Sequence, residues 1–412
     1  MQEAPHALRD VFGISRDVPL TYVARDKVDA KLKDNLGRSR HLVIHGSSKQ
    51  GKTCLRKACL DPSTYITVQC SNKWTISELN AVVLKQAGFE ITQSAKQTSS
   101  GKFKVNAKFI EFETGSGGEK TTAPMELELE DVNDIIAALK QIKFSRYIIL
   151  EDFHYLPIET QKDFAVALKA FHENSPYSFM IIGVWLEENR LAVYNGDLTG
   201  RLVSINADEW SPEDLRQVVE AGEQLLYVQF DPDFITGLVA ACSGSVYLLQ
   251  EACFKVCRDA GVEKTQETQL VVGKGLDPVD LVRGIVNEQQ GRYRSFLIQF
   301  ANGFQESELK MYQWLLYPVI TASPEELQRG LKRAAIRNKI CSKHPKGQGL
   351  NQGNVTIALQ SVAALQVKKE IKPFILDYDE TNQTLNVVDR GFLIWIKYQD
   401  QKELLESIDL GE

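Results

Sequence analysis

The sequence predicts an α/β fold: a parallel sheet between two layers of helices, then a mostly helical segment, then a C-terminal module of helices and two short strands. Three observations predict it. Apolar, β-rich runs recur at His41–His45, Tyr65–Gln69, Tyr147–Leu150, Phe179–Val184 and Leu202–Ile205, separated by stretches of helical periodicity. That is the pattern of parallel strands buried on both faces. A glycine-bracketed loop, Gly46 to Thr53, lies directly between the first run and a helical stretch. Beyond Trp210 the periodicity becomes helical, until two short strands return near the C-terminus.

Length and composition set the bounds. At about 150 residues per domain, 412 residues suggest two or three domains. The 43% hydrophobic and 25% charged fractions are those of soluble globular chains and exclude collagen-like, disordered and membrane-spanning classes. No window approaches the ~18 consecutive apolar residues of a spanning helix, and MQEAPHALRD has neither the basic flank nor the apolar core of a signal peptide. A cytoplasmic protein without membrane contact is expected. Seven cysteines, at 54, 59, 70, 242, 253, 257 and 341, form no Cys-x-x-Cys pair, which indicates neither a disulfide framework nor a zinc site. Cys253 and Cys257 lie one helical turn apart and read as small core residues, since no histidine is near enough in sequence to complete a metal site. A net charge of −6 excludes a chain that coats nucleic acid everywhere and leaves room for a local basic patch.

In chain order, residues 1–210 read as the α/β domain. Within it Ser94–Thr122 breaks the rhythm, with period-two alternation across Phe103–Phe112 between Ser, Gly and Thr clusters. A surface β-hairpin insertion at about 94–122 is predicted. At 211–214 the sequence SPED has a capping serine, a proline for the first turn and acids for the positive end of the dipole. It starts a helical lid, 211–300. In 301–412 the pattern from Glu306 is three helices, two strands joined at Asp377–Gln383 and a last helix from about Gly391, the order of a winged helix-turn-helix. No fixed-period repeat is present.

The chemistry centres on Gly46-x-x-x-x-Gly51-Lys52-Thr53, placed after a strand and before a helix, the context that makes this motif a phosphate-binding P-loop. Gly46, Ser47, Ser48, Lys49, Gln50, Gly51, Lys52, Thr53 and Cys54 make up the predicted cradle. Its glycines let the backbone wrap phosphates, its amides and helix N-terminus face negative charge, and Lys52 neutralises the outer phosphates. Thr53 offers a hydroxyl to Mg²⁺. That ion takes few protein ligands in octahedral geometry, so an acid at the end of a neighbouring strand is expected. Glu151 and Asp152, closing the run Tyr147–Leu150, supply it. Glu151 is assigned to the metal and Asp152 to the attacking water; the alternative is a solvated loop after a buried strand.

These residues resemble the AAA+ and STAND ATPases, in particular the branch of origin-recognition-type initiators and bacterial signalling ATPases, over nearly the whole chain. EDFH at 151–154 resembles that family's Asp-Glu-x-His, and TYVARDKVD at 21–29 resembles its adenine-side box, with Val23 and Arg25 at the matching positions. The resemblance implies ATP as the nucleotide, hydrolysis with Mg²⁺, and a homo-oligomer in which an arginine before the fifth strand reaches the neighbouring subunit's γ-phosphate. In LTGRLVSI that arginine is Arg201. Three departures stand out. The lid segment SGSVYLLQ at 243–250 has Gly244 but neither the family's proline nor its arginine, the acid pair is reversed, and the polar residue after the fourth strand is one of Glu187, Glu188 and Asn189.

Arg329–Lys346 carries seven Lys and Arg and no acid, followed by Lys368, Lys369 and Lys372 near the expected wing. Such a run either contacts phosphates of duplex DNA or forms a solvated basic face. Two functions are therefore expected. One is an ATP-driven assembly factor that engages DNA through the winged helix. The other is a signalling switch, as in bacterial defence, whose winged helix contacts a partner effector protein.

Overall fold

The computed structural model describes residues 4–14, 17–97, 103–112, 119–121, 124–305 and 308–411. Five strands form one sheet, numbered in chain order β1 (His41–His45), β2 (Tyr65–Gln69), β3 (Tyr147–Glu151), β4 (Phe179–Ile182) and β5 (Leu202–Asn206). They lie in the order β2-β3-β4-β1-β5, with every pair parallel. Successive side chains leave a strand on opposite faces. Val43, Ile148, Leu150, Phe179 and Ile181 therefore meet the helices Ile76–Ala87, Val132–Gln141 and Ile158–Asn174 on one side. Leu42, Ile44, Ile149, Met180, Ile182 and Ile205 meet Asp26–Asn35 and Lys52–Cys59 on the other. At roughly 1.5–3 kcal/mol for each large apolar side chain fully buried, these two cores make the sheet the rigid frame of the molecule.

Strand order differs from the expectation in one respect. The acid-bearing β3 is not beside β1, because β4 pairs with both and lies between them. Order in a parallel sheet is decided by how crossover helices pack, which the composition of a strand does not record.

The insertion is also wider than its sequence rhythm. Pairing begins at Phe89, opposite Phe109, and Met125–Glu128 adds a further strand with Val105 opposite Leu127. Phe89 follows the left-handed Gly88 that ends a helix, so its alternation merges with that helix in the sequence. Residues 98–102, 113–118 and 122–123 of the predicted hairpin lie outside the described residues.

Helices Pro212–Leu226, Pro232–Ala241, Val246–Asp259, Pro278–Asn287 and Gln290–Ala301 follow, with Val228–Phe230 and Leu270–Val272 paired as a two-stranded parallel sheet. Ser211 and Asp214 cap the first helix reciprocally, as the SPED signature requires. Cys253 and Cys257 are fully buried in this core. Leu8, Val11 and Phe12 also belong to it rather than to the sheet domain, contrary to the placement of the N-terminus in residues 1–210. The reason is a fitted space: a Cβ at Gly222 would stand 2.0 Å from the Phe12 ring.

The C-terminal region contains helices Met311–Ile320, Pro324–Arg329, Arg333–Lys343, Gln352–Gln360 and Val362–Lys368, then strands Leu376–Asp379 and Thr384–Val387, then helices Arg390–Lys397 and Gln401–Glu406. The strand pair is joined by a short third strand, Leu331–Lys332, in an antiparallel sheet. This region packs on the C-terminal end of the main sheet through Val184, Phe374 and Val388, flanked by Tyr155, Leu186, Ala363 and Val367. Among the described residues no helix is long and apolar enough to cross a membrane.

Candidate nucleotide site

The loop after β1 has the conformation its glycines permit. Gly46 (φ +142°) and Gly51 (φ +78°) both occupy backbone regions that side chains disfavour. Gly51 is the N-cap of the helix Lys52–Cys59, whose first-turn amides have no intrahelical acceptor and point into the loop. Lys52 is buried, its Nζ donating to the carbonyls of Gly46 at 3.1 Å and Ser47 at 2.5 Å. Burial pushes its ammonium down to about 8, against the opposing pull of Asp208, Asp152 and Glu151. Thr53 is exposed beside it, and Cys54 is half-buried.

The rest of the loop is gripped by three parts of the chain. The Ser47 amide donates to Asp208 Oδ1 at 2.6 Å, and its hydroxyl to Asp208 Oδ2. Ser48 N donates to the Val388 carbonyl at 2.9 Å. Gln50 Nε2 reaches the Gly244 carbonyl at 2.9 Å, and the Lys49 ammonium lies 3.8 Å from the Tyr247 ring centroid. Trp210 Nε1 donates to the Gln50 carbonyl at 3.4 Å. Arg25 stacks on that indole at 4.1 Å and is fixed by the Ala207 carbonyl, which brings the TYVARDKVD segment to the loop's flank. Val23 packs half-buried against the helical core.

The two acids of β3 have different surroundings. Glu151 ends the strand, buried, with Oε1 3.0 Å from Arg56 Nε. Burial raises its pKa and the Arg56 charge opposes the rise. Asp152 adopts a left-handed conformation (φ +55°) and accepts a hydrogen bond from Gln69 at the end of β2. Burial raises its pKa too, and Lys52 is the charge that most opposes the rise. The site thus collects one ammonium, two carboxylates and a hydroxyl at the C-terminal ends of β1 and β3, a donor set that fits a magnesium-bound triphosphate. His154 is buried beside Tyr155 and Phe374, and burial lowers its pKa well below the ordinary imidazole value.

Two residues lie away from this loop: Arg201, expected at a neighbouring subunit's nucleotide, and Glu187, one of the three candidates after the fourth strand. Arg201 precedes β5 and so lies at the opposite end of the parallel sheet, with Nη2 2.8 Å from Glu173 and Nη1 on the Asp197 carbonyl. Glu187 turns toward the C-terminal strands, accepting from Thr381 Oγ1 at 2.7 Å, with Arg190 at 3.4 Å. Conversely, Asp208, Arg56, Gln69 and Trp210 enter the site without having been singled out. Arg56 had a usable signal, standing one helical turn after Lys52, where i and i+4 share a face.

No protein-family model matches the chain, and no curated protein sequence does. Solved structures do. A Walker-type ATPase of Pyrococcus abyssi superposes with a TM-score of 0.52 at 12% identity, covering 94% of this chain and 99% of that one. The Orc1 protein of Aeropyrum pernix, solved in complex with DNA, gives 0.46 at 13% identity, with 98% of both chains covered. Cdc6p of Pyrobaculum aerophilum gives 0.41 at 11%, covering 98% of this chain and 99% of that one. The first likeness establishes a shared fold, the parallel-sheet P-loop architecture; the other two fall below 0.5 and add nothing to it.

Proposed function

We propose that the chain binds ATP with Mg²⁺, hydrolyses it, and uses its nucleotide state to control the C-terminal module. The observation that carries this reading is the buried Lys52, held by the loop's own carbonyls at the head of a helix and faced by the Asp152 carboxylate. Burying an ammonium is costly unless an anion is to be met there. The loop amides and Lys52 hold the phosphates, Thr53 and one Glu151 oxygen hold the metal and its water shell, and Asp152 orients the attacking water. Mg²⁺, when bound, neutralises phosphate charge as a Lewis acid. Arg56 offsets part of the cost of burying the Glu151 charge and holds the carboxylate at the sheet end. Val23 and Arg25 flank the base, and Arg201, on the far edge, serves a neighbouring subunit of a homo-oligomer.

Equilibrium titration with ATP in the presence of Mg²⁺ tests the site: Lys52→Ala should abolish binding, and unchanged affinity would sink the proposal.

Two downstream roles follow. In the first, the winged helix engages duplex DNA through Arg329–Lys346. Several of those bases are already partnered, Lys339 with Glu326 at 3.5 Å, Lys346 with Glu308, and Lys332 with Thr384 at 2.9 Å, which weakens the patch as a phosphate surface. In the second, the module transmits the nucleotide state to a partner effector protein. The direct bond from the Ser48 amide to Val388 favours this switch role. Salt-sensitive duplex binding that disappears when Lys332, Arg333 and Arg337 become Glu would restore the DNA role.

A further inference from the structure

The lid segment at 243–250 has no arginine, so no cation meets the nucleotide's outer phosphate from that element. One reaches the same corner from elsewhere. Arg390 begins the helix Arg390–Lys397 of the C-terminal module, and its Nη1 donates to the Ser243 carbonyl at 2.8 Å. It passes over Gly244, where a Cβ would lie 3.5 Å from Nη1. Its Nη2 is 3.3 Å from Asp208 Oδ2, and the same carboxylate accepts the amide and hydroxyl of Ser47 at the start of the phosphate loop. Arg390 Nε is buried without a hydrogen-bond partner among the described residues.

The backbone beneath this side chain is fixed. Val388 accepts from Ser48 N, and Asp389 accepts from Phe392 N at 3.0 Å, from the Tyr293 hydroxyl at 3.2 Å and from Arg292. Arg390 is therefore presented to the loop by a rigid turn, with one long contact to a carboxylate and one unused donor.

We infer that Arg390 is the residue through which the C-terminal module contacts the outermost phosphate of bound ATP, and that Asp208 parks it until that phosphate arrives. This rests on the phosphate loop binding ATP, as proposed above. Guanidinium carries its charge at every working pH and matches phosphate oxygens in a bidentate fork, a stronger pairing than its single 3.3 Å contact to Asp208. A phosphate entering beside Ser47 also meets repulsion from Asp208, so the acid both holds the arginine and opposes the ligand. A nucleotide that carries a third phosphate draws Arg390, and with it the C-terminal module, toward the loop. A nucleotide without one leaves Arg390 on Asp208.

The test is calorimetric titration of the full chain with ATP, ADP and AMP in the presence of Mg²⁺, alongside melting curves. Wild type is compared with Arg390→Ala, Arg390→Lys, Asp208→Asn and Lys52→Ala. Arg390→Ala should weaken ATP about 10-fold or more, the loss of a charge-assisted contact, while ADP and AMP change less than about 3-fold. Arg390→Lys should fall between, and Asp208→Asn should bind ATP several-fold more tightly. An unchanged ratio of ATP to ADP affinity in folded Arg390→Ala overturns the assignment, since a brace that only supports the fold, or a contact to an inner phosphate, moves both nucleotides together. If Arg390→Ala does not fold, the ratio in Arg390→Lys decides in the same way. Weaker ATP binding by Asp208→Asn overturns the parking role. Wild-type ATP affinity in Lys52→Ala defeats the phosphate-loop reading itself, whatever Arg390 does.

Discussion

Replacing Asp377 by Asn measures how firmly the C-terminal module is tied to the sheet domain. Arg190, just beyond β4, sends Nη2 to both oxygens of Asp377 at 2.8 and 2.6 Å. The two side chains are 7% and 2% exposed, so the pair is effectively out of water. It joins the strand Leu376–Asp379 of the C-terminal module to the sheet domain. Removing one charge of a buried pair costs about 3–5 kcal/mol, because the other stays buried and unmatched. Glu187, 3.4 Å from Arg190 Nε, still balances part of the guanidinium charge. The lower end, about 3 kcal/mol, is therefore expected for Asp377→Asn. At about 2–4 °C per kcal/mol for a domain of this size, the melting midpoint should fall by about 6–12 °C. Removing all three charges, Asp377→Asn and Glu187→Gln with Arg190→Met, should recover much of the loss, since neither an unmatched guanidinium nor an unmatched Glu187 carboxylate remains. The assay is thermal and urea denaturation followed by near-UV circular dichroism. A loss below about 1 kcal/mol, the range of solvated pairs, would mean that water reaches this interface and that the burial reasoning is wrong.

Three further outcomes are expected. Burial lowers the Lys52 pKa to about 8. Its folded pKa lies below the free value, so its burial destabilises the fold below pH 8 and that penalty is relieved as pH rises toward the unfolded value. ATP favours the charged form, so binding at pH 8.5 should take up protons and weaken as pH rises; calorimetry in buffers of different ionisation enthalpy reads this, and zero uptake contradicts it. Arg56→Ala strands Glu151 without its counter-charge and should cost about 3–5 kcal/mol. Burial already raises the Glu151 pKa, so the folded state holds the proton more tightly and the loss should grow from pH 5 to pH 8; equal melting shifts at both pH values would refute the pairing. Gly46→Ala places a Cβ 2.6 Å from Asp208 Oδ1 at a φ of +142°, and should abolish nucleotide binding, checked by the same titration; retained affinity would show that the loop relaxes freely.

The centre of the sheet was legible because β1, β3 and β4 are buried on both faces, which leaves apolar runs such as HLVIH and YIILE that polar loops cannot imitate. The phosphate loop was legible because its chemistry needs glycine and lysine at fixed spacing within one short segment. Ser211 with Asp214 was readable for the same reason, a contact made within four residues. What escaped was long-range. Phe12 fills the space above Gly222, and Arg390 reaches Asp208 across more of the chain than any periodicity spans. Neither half of such a pair carries a local mark of its partner. The position of β4 between β1 and β3 was hidden likewise, because crossover packing sets it. Arg56 was legible and passed over: its helical spacing from Lys52 places it on the loop's side, but only the fold reveals Glu151 waiting there.

The most direct measurement is ATP turnover by the purified protein, wild type beside Lys52→Ala, with and without duplex DNA, while mass is followed by light scattering. The expected result is hydrolysis that disappears with Lys52→Ala, with ATP raising the mass of the wild type alone. A rise in turnover with DNA would place the C-terminal module on duplex, and indifference to DNA would point to a protein partner. Turnover and ATP binding that survive Lys52→Ala unchanged would contradict the assignment of this loop as the nucleotide site.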